Sequence, residues 1–140
     1  QDKNNAFNAQ MIRELIVAID RLAEDASLRF VLLRGRGRHF SAGADLAWMQ
    51  QSAQLDFNTN LDDAHELGEL MYALHRLKAP TLAVVQGAAF GGALGLISCC
   101  DMAIGAEDAQ LCLSEVRIGL APAVISPFVV KAIGERAARR

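Results

Sequence analysis

The run from Ala79 to Ala106 limits the possible folds more than any other part of the chain, because it joins a strand signal to a helix signal through glycine. Leu82 to Val85 is apolar and largely β-branched, bounded by Pro80 and Gly87, and the pattern predicts a short buried strand. Phe90, Gly91 and Gly92 then open a second apolar run, Ala93 to Cys100, about two helical turns long and closed by Asp101. Glycines at such a junction let backbone approach a ligand, and a helix start presents unpaired N–H groups with a positive dipole end. The junction therefore reads as an anion or oxyanion site, with a plain glycine-packed turn as the alternative.

A second junction of the same kind lies upstream. Phe30 to Arg34 reads as a strand and runs through a glycine- and arginine-rich turn into Ser41, Ala42, Gly43, Ala44, Asp45 and Leu46. Two strand ends, each opening into free amides, can hold one carbonyl oxygen between them. Four stretches together resemble the crotonase family, also called the enoyl-CoA hydratase/isomerase family: Phe40 to Leu46, Val85 to Gly92, Cys100-Asp101 and Ser114 to Leu120. The resemblance implies an α/β fold, the family's ββα superhelix, with residues 1–140 forming part of a single crotonase-like domain. It also implies that the family's opening strands and C-terminal helices are not represented here.

Composition is compatible with this. The chain has 140 residues, 52% hydrophobic and 21% charged, as in ordinary globular domains, and a formal net charge of −2 gives no electrostatic case for nucleic-acid or membrane-surface binding. Cys99, Cys100 and Cys112 lack C-x-x-C spacing, so neither a disulfide framework nor a metal site is expected. No apolar run reaches the ~18 residues of a membrane span, and no basic n-region of a signal peptide is seen. A cytoplasmic location is the expectation.

Asn5-Ala6-Phe7-Asn8 precedes an amphipathic helical pattern with Met11, Ile12, Leu15, Ile16, Ile19 and Leu22 on one face. The resemblance matches Asn5, Ala6 and Phe7 to backbone that touches the CoA nucleotide, with Asn5 in a place that is commonly basic; Lys3 or an arginine of the Arg34–Arg38 run is a substitute phosphate partner. Gln50 to Asn60 shows no clear period, and Leu61, Ala64, Leu67, Met71, Leu74 and Leu77 predict a second long helix ending before Pro80. Trp48 and Met49 read as core packing first and as an acyl-pocket wall second. His65 and His75, ten residues apart on that helix, do not have metal-ligand spacing. Met102 to Ile104 and Leu111 to Leu113 predict two further short strands, with Glu115 just after the second.

An acyl-CoA thioester gathers negative charge on its carbonyl oxygen when a proton or water is exchanged at the neighbouring carbons. Two preorganised N–H donors stabilise that state by ~3 kcal/mol each in known oxyanion holes. The resemblance assigns these donors to the backbone amides of Ala44 and Gly92, places Ala42, Gly43, Asp45 and Gly91 beside the substrate, and matches Glu115 to a glutamate that serves as acid/base. A second glutamate used by simple enoyl-CoA hydratases falls at Gly95. One carboxylate can take a proton from water and return one to the α-carbon, and it can equally move a proton between carbons.

Gly95, the run Leu120-Ala121-Pro122-Ala123-Val124-Ile125 and Ser114 to Arg117 resemble the hydratases of methylglutaconyl-CoA and isohexenylglutaconyl-CoA. That implies hydration of a 3-branched glutaconyl-CoA, with open room at Gly95 for the branch and Arg117 as a candidate partner for the distal carboxylate. An enoyl-CoA isomerase and a non-catalytic binding scaffold are the alternatives. The resemblance further implies an acyl-CoA partner, no separate cofactor since coenzyme A enters with the substrate, and a homotrimer or hexamer. There is no G-x-S-x-G, P-loop or G-x-G-x-x-G motif to support a serine hydrolase or nucleotide-phosphate enzyme.

Overall fold

The computed structural model describes residues 4–139. The chain opens with α1 (Ala9–Glu24), whose Asn8 side chain accepts the Met11 amide at 2.9 Å and so caps the helix. Then come β1 (Val31–Arg34), α2 (Leu46–Ser52), α3 (Phe57–His75) and β2 (Thr81–Val85). After these follow β3 (Ala88–Phe90), α4 (Gly92–Cys99), β4 (Met102–Gly105) and β5 (Gln110–Cys112). A 3₁₀ turn (Ser114–Ile118), α5 (Ser126–Ile133) and α6 (Glu135–Ala138) complete it.

The strands form two parallel sheets, one ordered β1-β2-β4 and the other β3-β5. Parallel strands need long right-handed crossovers, and the helices supply them. Alternation along β2 buries Thr81, Ala83 and Val85 against the helical layer, where Ile12, Leu70, Met71, Leu74, Leu96 and Val129 meet in one core. Two expectations are displaced. Much of the aperiodic stretch from Gln50 to Asn60 is helix, the end of α2 and the start of α3, and Asp56 caps α3 through the amides of Asn58 and Thr59 at 2.8 and 3.0 Å. The glycine turn after Val85 contains its own strand, β3, which pairs with β5.

Where β2 begins, Asp101 accepts from the backbone N–H and the hydroxyl of buried Thr81, both at 2.8 Å, while Thr81 Oγ1 accepts the Asp101 amide at 2.8 Å. The backbone hydrogen bond from Thr81, then its hydroxyl, holds the Asp101 carboxyl below its ordinary value. Its stabilising effect is therefore present above the usual carboxylate range and fades as pH falls through the lowered value. Asp101→Ala leaves the Thr81 amide buried without that acceptor, at an expected cost of about 1–3 kcal/mol. A thermal melt at pH 7 checks this, and an unchanged melting temperature would count against the pair.

Candidate active site

The second sheet extends beyond its two named strands. Ser41 bridges Ala89, Phe7 bridges Ala44, and both bridges are parallel. The register is therefore Ser41 beside Ala89 beside Leu111. Ala44 and Gly92 each lie three positions beyond these partners, and Glu115 lies four beyond Leu111. Three segments distant in sequence thus leave the same end of one sheet at nearly the same level, the carboxyl end where open parallel sheets place their ligands.

Each amide is kept available by local geometry. In the bridge, Phe7 N–H donates to the Gly43 carbonyl and Asp45 N–H to the Phe7 carbonyl, both at 2.8 Å, which passes over the amide of Ala44. Gly92 is the first residue of α4, whose cap Gly91 has no side chain to satisfy the initial N–H groups. Gly91 itself has φ +55 and ψ −123, a conformation that L side chains rarely adopt. A Cβ there would stand 2.9 Å from Glu115 Oε1, so glycine also leaves the carboxylate its space. Glu115 Oε2 is buried and has no hydrogen-bond partner among the described residues. An unpaired buried carboxylate oxygen is costly, which marks Glu115 as a candidate functional group.

Phe7, Ala44, Gly92 and Glu115 line one open cavity of about 440 Å³. Its walls are Trp48, Met49, Ser52 and Ala53 from α2, Asn60, Asp63, Ala64 and Leu67 from α3, and Leu120 to Ile125. Trp48 packs on the core and faces this space as well.

The other expected binding residues shape the turns instead of lining that cavity. Asn5, at φ +56, spends its amide nitrogen on the carbonyls of Arg36, His39 and Phe40 at 2.8, 3.0 and 3.2 Å. Asp45 caps α2 by accepting the Ala47 amide at 2.9 Å. Gly43, at φ +90, lets the turn pass 3.3 Å from the Phe90 carbonyl, measured from where a Cβ would stand; Ala6 is buried beside Asn5, while Ala42 is exposed. Asn5 faces a second cavity of about 320 Å³, shared with Phe7, Arg34, Arg36 and Glu14. Lys3 lies outside the described residues.

Gly95 requires a correction. It is buried, does not line the cavity, and a Cβ there would lie 2.5 Å from Ile125 Cγ2 and 2.9 Å from both Met71 Cε and Sδ. The expected room for a branched acyl group is filled by these two side chains. Arg117 is exposed and does not line the cavity either. Sequence reasoning missed Ser52 and Asn60, since the aperiodic stretch concealed the end of α2 and the first turn of α3, and it missed Asp63 on the expected second helix. It also missed His39, whose Nδ1 accepts the Ala88 amide at 3.0 Å and fixes the start of β3.

Burial pushes the thiol of Cys99 up to about 12 and that of Cys100 up to about 11, so neither is a nucleophile near neutral pH. Among the described residues no group of histidine, cysteine, aspartate and glutamate side chains could hold a metal ion, and no helix is long and apolar enough to cross a membrane.

Two parallel-strand ends and a carboxylate with a buried oxygen thus meet at one cavity of a mixed α/β fold. The sequence profile described as Enoyl-CoA hydratase/isomerase matches residues 1–140, and the chain belongs to that family. The crystal structure of an enoyl-CoA hydratase from Shewanella pealeana superposes with a TM-score of 0.96 at 54% identity, covering 99% of this chain and 52% of that one. Enoyl-CoA hydratase ACTT6 of Alternaria alternata is 32% identical over 99% of this chain and 44% of its own length. A 4-chlorobenzoyl coenzyme A dehalogenase of Arthrobacter is 33% identical over 94% of this chain and 48% of its own. The chain spans about half the length of the curated relatives it matches.

Proposed function

We propose that the whole protein adds water across the 2,3 double bond of an enoyl-CoA. The observation that carries this is the convergence of Ala44, Gly92 and Glu115 on one cavity from one sheet end. The thioester oxygen accepts from the two amides, and the α4 dipole adds to the field. Glu115 takes a proton from water as its oxygen bonds to the β-carbon. The resulting enolate then takes that proton at the α-carbon, which restores the carboxylate and leaves a 3-hydroxyacyl-CoA. Relatives named as hydratases support the reaction class, and the dehalogenase shows that related chains share the thioester and not always the chemistry.

The 3-branched glutaconyl-CoA expected from the sequence has less support than an uncharged enoyl group. Gly95 offers no open space, and the charged residues among the described lining are Asp63 and Glu115, with no cation. The isomerase reading uses the same carboxylate, so product identity decides. A non-catalytic scaffold has no use for a buried carboxylate oxygen without a partner. The test is incubation of the full-length protein with crotonyl-CoA. Loss of the conjugated enoyl absorbance with formation of 3-hydroxybutyryl-CoA is expected. A protein that binds the thioester and leaves it unchanged, or only shifts the double bond of a 3-enoyl-CoA, overturns the proposal.

A further inference from the structure

The two cavities that share Phe7 differ in charge. The smaller one carries Arg34 and Arg36 against Glu14, while the larger one carries Asp63 and Glu115 and, among its described lining residues, no lysine, arginine or histidine. A thioester held at Ala44 and Gly92 has two arms. One ends in the phosphates of coenzyme A and the other in the acyl tail. The field favours the phosphates towards the arginine end and leaves the acyl arm to the cavity walled by α2 and α3.

Asp63 lies well out along that wall. Met71 is the α3 residue packed where α4 carries Gly95, and Asp63 precedes it by eight residues, or about 12 Å at the ~1.5 Å rise of a helix. Leu67 and Ala64 line the way, and Asn60 and Ser52 stand near the same end. Asn60 already donates to the carbonyls of Leu55 and Asp56, both at 3.2 Å. The nearby cation is Arg13, which sits outside the lining and contacts both Glu66 oxygens through Nε at 3.0 Å. Glu66 is thus the first partner of that guanidinium, ahead of Asp63.

We infer that Asp63 makes the acyl arm selective for uncharged acyl groups over those ending in a carboxylate. The inference rests on the acyl-CoA reading above and deepens it. A terminal carboxylate entering this arm loses water and meets a like charge, while Arg13 stands outside the lining and is engaged by Glu66. A hydrocarbon tail meets Trp48, Met49, Leu67 and Val124 and loses nothing.

The experiment uses full-length protein and two saturated thioesters that bind without turnover, pentanoyl-CoA and glutaryl-CoA. They have the same carbon count and differ by a terminal methyl against a carboxylate. The parent is expected to bind pentanoyl-CoA about tenfold or more tightly in calorimetry at low salt. Because desolvation alone also favours the hydrocarbon, the decisive reading is the ratio in variants. Asp63→Asn keeps the shape and narrows the ratio severalfold, and Asp63→Lys inverts it. A parent that binds glutaryl-CoA as tightly as pentanoyl-CoA, or a ratio unmoved in Asp63→Asn, overturns the inference while leaving the hydratase reading intact. If neither thioester binds the parent, the acyl-CoA reading fails and this inference falls with it.

Discussion

Glu115→Gln in the full-length protein is expected to lower turnover of an enoyl-CoA by roughly 10² or more while the fold and the binding of a saturated thioester persist. Glutamine keeps the shape of the side chain beside Gly91, where a Cβ would already come within 2.9 Å of Oε1, so no repacking is called for. What it removes is the ability to take a proton from water. On the proposed mechanism the buried Oε2, unpaired among the described residues, is the atom that takes it. Since the amides of Ala44 and Gly92 still hold the carbonyl oxygen, the loss should fall on kcat more than on KM. A folded Glu115→Gln protein with near-parental kcat would remove Glu115 from the mechanism.

That Ala44, Gly92 and Glu115 come to one cavity was legible in the sequence for a reason the structure makes plain. They follow Ser41, Ala89 and Leu111 by three, three and four positions, and parallel pairing of those three carries similar offsets into similar height. Local pattern was sufficient there. It failed between Gln50 and Asn60, where α2 has no buried residue and Trp48 and Met49 face a cavity, so no helical period toward the core is written in the sequence. Asp63 lies on the expected second helix, and its place on the cavity wall is set by the packing of that helix. Asn5 and Asp45 have structural roles that the motif does not announce: Asn5 ties down a turn and Asp45 caps a helix. What a polar side chain does depends on which carbonyls and amides the fold brings to it, and that is not a property of spacing.

Gly95 is the position where the structure reverses a sequence expectation outright. If glycine there left room beside the substrate, Gly95→Glu would fill it and redirect preference towards straight-chain enoyl groups. Instead the space beyond Gly95 belongs to the core, with Ile125 Cγ2 at 2.5 Å and Met71 Cε and Sδ at 2.9 Å from an added Cβ. Met71 is fully buried, with a relative exposure of 0%, so it has no open space to move into, and Ile125, at 2%, can move only towards the cavity it walls. Gly95→Ala is therefore expected to lose about 1–3 kcal/mol to overpacking, offset by up to ~1 kcal/mol of helix propensity. Gly95→Glu adds three more heavy atoms beyond the next methylene and a buried carboxylate with no cation at hand, a combination expected to cost more than about 4 kcal/mol and to abolish cooperative folding in a marginal domain. Denaturant melts of the full-length parent, Gly95→Ala and Gly95→Glu should show that graded loss. Ile125 also walls the acyl cavity, so the alanine variant should lose activity through displacement of that wall, without a gain for either straight or branched substrates. A Gly95→Glu protein that melts with the parent and favours crotonyl-CoA would mean that Met71 and Ile125 yield, and the space at Gly95 would then belong to the substrate after all.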